Sequence, residues 1–314
     1  MNLRPLTMSP LDWLMLVVLS ILWGGSFILN KIAVAALPPM TVALGRTSIA
    51  ALILVAIAAT RRELRVLFAA WPVFLTLGLF NSAVPFSLIA WSQTHIGSGL
   101  ASILNATTPM FAVVFAHIAT RDDKLTLNRT IGLVIGMIGV AVMIGLGALT
   151  GLGGHVAGEL ACLVAAALYA GSTVFARGYR SFAPTSLGAG QTASATLLLF
   201  PVVAVVDPPW TRPLPSATAL VAVVLLGALS TAIAYLLFFR ILERAGATNV
   251  SLVTFLIPVS AILLSVLLLG ERLELHQIAG MAAIAAGLVA IDGRAGQFMR
   301  HWRSPGVQEP DANS

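Results

Sequence analysis

The sequence predicts an all-α integral membrane protein with ten transmembrane helices, arranged as two inverted five-helix repeats around a central cavity. Composition is the first reason, since 58% of the 314 residues are hydrophobic and only 10% are charged. A soluble domain needs about 25% charged residues to cover its surface. The second reason is the sorting of basic side chains to one side of the predicted membrane, and the third is an internal repeat.

Long apolar windows recur along the chain, and each is long enough for a helix to cross about 30 Å of hydrocarbon. Backbone groups in lipid must satisfy their own hydrogen bonds, so these windows are predicted to be helices rather than loops. The first window is expected to stay as a helix and not to be cleaved as a signal peptide, because the repeat requires it. The predicted spans lie near residues 13–33, 40–60, 72–92, 98–118, 130–147, 157–177, 186–206, 217–239, 246–269 and 275–292.

The basic residues favour a topology with both termini in the cytoplasm. If the N-terminus is inside, only Arg212 and Arg272 fall in outer loops. The inner segments then hold Arg4, Arg61, Arg62, Arg65, Arg121, Lys124, Arg129, Arg177, Arg180, Arg240, Arg244, Arg294, Arg300 and Arg303. This asymmetry follows the positive-inside rule and predicts a multi-pass protein of the bacterial inner membrane. The net charge of +6 is therefore attributed to topology and not to nucleic-acid binding, because no aromatic residues are interleaved with the basic ones.

Two basic residues and the C-terminal tail do not belong to this pattern. Lys31 and Arg46 lie within predicted spans, and their long side chains are expected to extend to the outer surface. The alternative is that they form a positively charged outer mouth. Residues 294–314 are polar and charged, and they are predicted to be a disordered cytoplasmic tail.

The second half of the chain repeats the first with small changes in loop length. The stretch LWGGSFILNK at 22–31 aligns with LYAGSTVFAR at 168–177. Further on, matching glycines and prolines recur at nearly the same shift: Gly78 with Gly227, Pro109 with Pro258, Gly132 with Gly280, and Gly139 with Gly287. The predicted repeats are residues 1–150 and 151–293. Because each contains an odd number of helices, the second inserts upside down, as in transporters that work by alternating access.

These features resemble one known family. The ten-span layout, the WGGSF sequence at 23–27, the prolines of the fourth and ninth helices and the LGE sequence at 269–271 resemble the EamA-type drug/metabolite transporters over about residues 10–292. As a whole, the chain is most similar to the aromatic amino-acid exporter branch, the YddG type. The resemblance implies a secondary transporter that exports amino acids or related metabolites. Small four-helix multidrug relatives carry a mid-membrane glutamate, and no acidic residue lies at mid-depth in this sequence.

Polar and aromatic residues at mid-depth are the candidates for substrate binding, since polar groups in a membrane usually face a cavity or a partner helix. The candidates are Trp23, Ser26, Asn30, Asn81, Asn105, Tyr169, Tyr235 and Thr254. Pro109 and Pro258 are predicted to kink their helices and to free a backbone carbonyl. The alternative for the small and hydroxyl residues is close helix packing. Helices two, five, seven and ten, including Gln191, are expected to be scaffold.

Aromatic faces with a few amides suit a neutral amino acid with a large side chain, because a charged ligand requires an opposite charge at the same depth. Asp12 and Glu159 are expected to cap the starts of helices. The histidines have no second ligand at metal-binding spacing, so no metal and no cofactor are expected. The expected partners are a small-molecule substrate and the lipid bilayer, without nucleic acid, and the protein is expected to be monomeric.

Three other classes of protein remain as alternatives. One is a multidrug or other metabolite permease of the same fold, and another is a channel, which would favour charged or carbonyl-rich rings at one constriction. The third is an intramembrane enzyme, which would need a Ser/His pair, paired aspartates or an HExxH pair at membrane depth. The sequence contains no such pair and no phosphate-binding GxxxxGK[ST] loop, so the protein is predicted not to be an enzyme.

Overall fold

All regular secondary structure in the part of the chain that the structure describes is helical. The structure is a computed structural model, and it describes residues 9–119, 127–144, 153–179, 181–211, 213–245, 247–250 and 252–292. The predicted tail, 294–314, and the predicted boundary between the repeats at 150 and 151 lie outside the described residues.

In the described part of the chain, ten apolar helices, numbered here in chain order, overlap the ten predicted windows. They are α1 (Pro10–Val34), α2 (Pro39–Thr60), α3 (Trp71–Ser92), α4 (Ser98–Ala119), α5 (Leu127–Ile144), α6 (Gly153–Ala176), α7 (Pro184–Val206), α8 (Ala217–Ala245), α9 (Val253–Leu269) and α10 (Leu275–Asp292). Seven of the described helices are long and apolar enough to cross a membrane, and α5, α9 and α10 contain shorter apolar segments. Two short helices, Leu64–Ala69 and Ala247–Val250, lie in the connections. The protein is therefore a multi-pass membrane protein.

The start of α1 is a complete capping box, which confirms the expected role of Asp12. The hydroxyl of Ser9 accepts a hydrogen bond from the Asp12 amide at 3.3 Å, and the Asp12 carboxylate accepts one from the Ser9 amide at 3.0 Å. This reciprocal pair satisfies two backbone donors that the helix leaves free. Arg244 donates to Asp12 at 2.8 Å, so the same carboxylate also joins the end of α8 to the start of α1.

The expected capping role of Glu159 is wrong. Helix α6 begins at Gly153, so Glu159 lies in its second turn, beyond the free amides that a cap satisfies. Its residue surface is only 6% exposed. The first apolar residue of the window was not the first residue of the helix, and this difference placed the predicted start too late.

Two helices contain a π-helical segment at equivalent positions of the two halves. Leu79–Ala83 interrupts α3 and Ala228–Ile233 interrupts α8, and the first residues of these segments are related by the same shift of 149 that relates Gly78 to Gly227. The Thr231 hydroxyl donates to the carbonyl oxygen of Leu226, five residues earlier, at 2.9 Å. Single π-helical turns inside α-helices are often found at functional sites because the extra residue redirects neighbouring side chains.

Helices α5 and α10 form a close pair through glycines. A β-carbon added to Gly139 would lie 2.8 Å from the carbonyl oxygen of Gly280, and one added to Gly287 would lie 2.5 Å from that of Gly132. The repeat aligns Gly132 with Gly280 and Gly139 with Gly287, so exchanging the two halves converts one contact into the other. Small residues let membrane helices approach closely, and this pair lies away from the central cavity.

The other main packing pairs are also related by exchange of the halves. Helix α2 packs against α7, and exchanging the two halves leaves this pair unchanged. The pair α1–α9 corresponds to α4–α6, α1–α8 corresponds to α3–α6, and α2–α8 corresponds to α3–α7. The exception is the end of α1, which also contacts the later part of α3 and the first part of α4. Among the described residues, the end of α6 forms no comparable interface with the later part of α8 or the start of α9.

Polar contacts hold this additional interface together. The Lys31 ammonium donates to the carbonyl oxygens of Gln93 at 2.7 Å and Ile96 at 2.9 Å, so it joins α1 to the end of α3. From the sequence, this side chain was expected simply to extend to the outer surface. Asn30 donates to the Gln93 side chain at 2.6 Å, and Gln93 in turn donates to the Phe27 carbonyl at 2.8 Å.

The LGE sequence after α9 caps the start of α4. Gly270 has a φ of 65°, a left-handed conformation that glycine adopts without strain, and it turns the chain at the end of α9. Glu271 then accepts hydrogen bonds from the backbone amides of Ser98 at 2.8 Å and Gly99 at 3.0 Å. A carboxylate at a helix N-terminus satisfies free amides and complements the helix dipole. Glu271 therefore joins the second half of the chain to the first.

Candidate functional site

A central cavity of about 350 Å³ lies between the two halves. Eight helices contribute side chains to its wall, and α5 and α10 contribute none. Its volume falls in the usual range for small-molecule sites, about 300–1,000 Å³. This is the place where inverted-repeat transporters bind their substrates, near the membrane centre and between the repeats.

Seven of the eight predicted substrate-binding residues line the cavity. They are Trp23, Ser26, Asn81, Asn105, Tyr169, Tyr235 and Thr254. The eighth, Asn30, is not among the lining residues, because it is buried at 3% exposure and its amide is bound to Gln93. Asn30 follows Trp23 by seven residues and so lies on the same face of α1, but at its level that face meets the end of α3, one turn beyond the cavity.

The two predicted kinks differ. Pro109 lines the cavity at a point where α4 is interrupted by a turn at 106–107. The Asn105 carbonyl there accepts a hydrogen bond from the Thr108 hydroxyl at 2.7 Å. Pro258 lies inside α9 and is not a lining residue.

Aromatic rings form most of the apolar wall. Seven line the cavity: Trp23, Phe27, Phe86, Tyr169, Tyr235, Phe238 and Phe239. Trp23 and Phe238 have ring centroids 5.5 Å apart, and Phe238 packs edge-on against Phe239 at 5.3 Å. Phe86 of α3 and Tyr169 of α6 have ring centroids 6.3 Å apart. Such separations are typical of favourable aromatic pairs, so the rings support one another and present rigid apolar surface to a ligand.

Besides the two tyrosines, the wall carries eight polar side chains: Ser26, Arg46, Asn81, Asn105, Thr108, Thr173, Gln191 and Thr254. Asn81 donates to the side-chain oxygen of Gln191 at 2.9 Å. The side-chain oxygen of Asn105 is buried and has no hydrogen-bond partner in the described part of the chain. Ser26 instead donates to the Trp23 carbonyl of its own helix at 2.6 Å. A buried acceptor without a partner is costly, so Asn105 is a residue of the wall whose hydrogen-bonding capacity the described residues do not satisfy.

Gln191 was predicted to belong to the scaffold and not to the cavity, and this prediction is wrong. Gln191 lies on α7 and lines the cavity, where it is hydrogen-bonded to Asn81. The signal available from the sequence was an amide side chain inside an apolar span, which is costly unless it is satisfied by a partner or a cavity.

The expected extension of Arg46 to the outer surface was also wrong. Arg46 is only 8% exposed, lines the cavity and donates from Nε to the Thr231 hydroxyl at 2.9 Å. Its guanidinium carbon lies 3.8 Å from the centroid of the Phe86 ring. The α2 backbone at Arg46 is packed against Gly227 of α8, and its side chain is directed into the wall and not out of it. An ionisable residue within a span is by default a functional candidate, so the sequence did contain the signal.

Arg46 and Gln191 occupy corresponding positions in the two halves. A β-carbon added to Gly227 would lie 2.9 Å from the Arg46 carbonyl oxygen, and one added to Gly78 would lie 2.8 Å from that of Gln191. Gly78 and Gly227 are themselves equivalent in the repeat. Arg46 is hydrogen-bonded to Thr231 in the π-helical segment of α8, and Gln191 to Asn81 in that of α3. The site is therefore symmetric in position and asymmetric in charge.

A cavity of this kind, between two matching sets of apolar helices, is typical of membrane transport proteins. The EamA-like transporter family matches residues 12–145 and 156–291. The chain belongs to this family. Each match covers one of the two halves recognised in the sequence.

Several relatives are similar over nearly their whole length. The chain is 29% identical to YvbV, an uncharacterized transporter of Bacillus subtilis, over 90% of this chain and 92% of that protein. It is 27% identical to an uncharacterized transporter of Archaeoglobus fulgidus, over 89% of this chain and 98% of that protein. It is 25% identical to the protein PagO of Salmonella typhimurium, over 88% and 90%. A protein crystal structure with 20% identity covers 89% of this chain and 96% of its own with a TM-score of 0.63, which shows a shared fold.

Proposed function

We propose that this transporter exports amino acids with large apolar or aromatic side chains from the cytoplasm. The observation that carries the proposal is the wall of the central cavity, where seven aromatic rings surround a few amides and hydroxyls. Rings of this kind hold an apolar side chain by burying its surface. The amides then orient the polar end of the ligand, since small-molecule sites combine an apolar wall with a few placed polar groups.

Alternating access between two inverted five-helix repeats is the proposed mechanism. The paired contacts of the two halves support it, since almost every packing pair has a counterpart in the other half. The exception also supports it, because the contacts of α1 with α3 and α4 have no comparable counterpart at the end of α6. A structure that is closed at one end and not at the other is one of the two states that such a mechanism requires.

The proposed orientation places both termini in the cytoplasm of a bacterial inner membrane, on the basis of the positive-inside distribution of Arg and Lys. Cysteines would be introduced singly into a Cys162→Ser background at 65, 123, 151 and 211. Those at 151 and 211 are expected to react with an impermeant maleimide added to intact cells, and those at 65 and 123 are not. Reaction of the second pair and protection of the first would reverse the orientation.

The substrate is tested with purified protein in proteoliposomes. Vesicles loaded with labelled phenylalanine are expected to lose it faster than protein-free vesicles, with and without a proton gradient as separate conditions. Asn81→Ala is expected to reduce this flux, because it removes the hydrogen bond to Gln191 and leaves that amide unsatisfied. Thr94→Ala, on an exposed residue, serves as the matched control.

The result also separates the rival functions. Flux of a lipophilic cation such as ethidium, without flux of phenylalanine, would favour a multidrug permease of the same fold. We further propose that the monomer is the transporting unit, because residues from both halves of a single chain suffice to form the cavity wall. Loss of flux on reconstitution at one protein per vesicle would contradict it.

A further inference from the structure

We propose that Arg46 is the residue that binds the substrate carboxylate, and that the protein consequently carries 2-hydroxy acids with a large apolar side chain as well as amino acids. The inference rests on the proposed function only in taking the central cavity as the transport site. It specifies that the carboxylate of the substrate is recognised by charge and that the amino or hydroxyl group on the neighbouring carbon is not.

The guanidinium of Arg46 is only partly used by the protein. Its Nε donates to Thr231, and one face lies over the Phe86 ring. Its two terminal nitrogens make no hydrogen bond within the described part of the chain, and the residue lines the cavity with 8% of its surface exposed. Arginine stays protonated in proteins and presents its terminal donors in a planar fork that matches a carboxylate. The free part of Arg46 is therefore the part that binds an anion.

Among the described residues that line the cavity, no acidic side chain balances this charge. Aspartate and glutamate are both absent from the nineteen residues that line it. The contact with Phe86 offsets part of the cost, because an aromatic face attracts a cation. A buried charge still requires an opposite charge or several hydrogen bonds. A carboxylate that arrives with the substrate supplies both, through two parallel charge-assisted hydrogen bonds.

The substituent on the carbon next to the carboxylate meets neutral polar groups of the wall. Asn105 and Gln191, the counterpart of Arg46, both line the cavity and are uncharged. A neutral acceptor takes a hydrogen bond from a hydroxyl as well as from an ammonium group. No carboxylate is found among the described lining residues, so an ammonium group meets no opposite charge there and a 2-hydroxy group can take its place.

The test uses three ligands of nearly the same shape and the purified protein in lipid nanodiscs. Phenylalanine carries both groups, 3-phenyllactate replaces the ammonium by a hydroxyl, and phenylalaninamide lacks the carboxylate. In the wild-type protein, 3-phenyllactate is expected to bind at least as tightly as phenylalanine, and phenylalaninamide at least about tenfold more weakly, as is typical for loss of a charge-assisted hydrogen bond. This comparison needs no variant, so it does not depend on how substitutions affect folding.

Variants then assign the effect to one side chain. Arg46→Gln is expected to weaken binding of 3-phenyllactate and phenylalanine by at least about tenfold and not to weaken binding of phenylalaninamide, whose ammonium group is repelled by the Arg46 charge. Arg46→Lys keeps the charge but not the planar fork, and an intermediate affinity is expected. Arg65→Gln removes an exposed positive charge and is the matched control, with wild-type affinities expected.

The outcomes separate this inference from the proposed function. Binding of 3-phenyllactate that depends on Arg46, together with no flux of phenylalanine, would uphold the inference and reject amino acids as the substrate. Flux of phenylalanine together with equally tight, Arg46-independent binding of phenylalaninamide would uphold the proposed function and overturn the inference.

Discussion

Replacing Glu271 by glutamine should loosen the closed end of the transporter by a measurable amount. In the structure its carboxylate accepts hydrogen bonds from the Ser98 and Gly99 amides at 2.8 and 3.0 Å. Glutamine retains one acceptor oxygen, so one bond becomes neutral and the second amide faces an NH₂ group. A hydrogen bond to a charged group contributes about 1.5–3 kcal/mol when buried. Since Glu271 is partly exposed, about 1–2 kcal/mol is expected, which is about a fivefold to thirtyfold shift in population.

Cys162 provides the assay because it is the single cysteine of the chain and is fully buried. Its thiol donates to the Ala101 carbonyl oxygen at 3.3 Å, and Ala101 lies in the first turn of α4, the turn that Glu271 caps. When that turn opens, the thiol becomes accessible. The rate of maleimide labelling therefore reports the open population, provided that opening and closing are faster than the labelling reaction.

The expected result is a fivefold to thirtyfold faster reaction of Cys162 in Glu271→Gln, by the estimate of about 1–2 kcal/mol. Glu274→Gln is the matched control. It removes the same charge three residues further along the chain, where the Glu274 side chain is 73% exposed. Its labelling rate should equal that of the wild type. Equal rates in all three proteins would refute the view that Glu271 holds the start of α4 in place.

Two further predictions concern the cavity and the scaffold. Asn105→Ala should weaken phenylalanine transport by about tenfold at unchanged expression, because it removes a polar group from the cavity wall. Gln191→Ala should also weaken transport. Normal flux in both variants would exclude these two residues from the site. Gly287→Ala should destabilise the protein in detergent by about 1–3 kcal/mol, since the new β-carbon would lie 2.5 Å from a backbone oxygen of α5. Gly178→Ala, with nothing within 4 Å, should leave the thermal midpoint unchanged.

Much of the candidate site was predictable because polar atoms are costly in a membrane wherever they lie. Asn81 and Asn105 were recognisable from residue type and depth, and both line the cavity. The paired glycines of α5 and α10 were likewise recognisable, since the internal repeat aligned them and the structure brings them into contact.

Arg46 and Gln191 were misplaced for one physical reason, which does not apply to Asn30, since that residue lies on the cavity face of α1 but one turn beyond the cavity. In a soluble helix the apolar face identifies the side that is buried. In a membrane, lipid and neighbouring helices are equally apolar, so hydrophobicity does not indicate which face of α2 or α7 turns inward. The depth of these residues was predictable, but their direction was not.

The amino-acid sequence by itself determined that this chain spans a membrane many times, that its two halves are related, and that a few polar side chains lie at mid-depth. Only the tertiary structure decided which of those side chains meet. Two π-helical segments and the close approach of Gly78 to α7 and of Gly227 to α2 orient Gln191 and Arg46 toward the cavity. These are contacts between residues more than a hundred positions apart, and they depend on backbone geometry that local hydropathy does not encode.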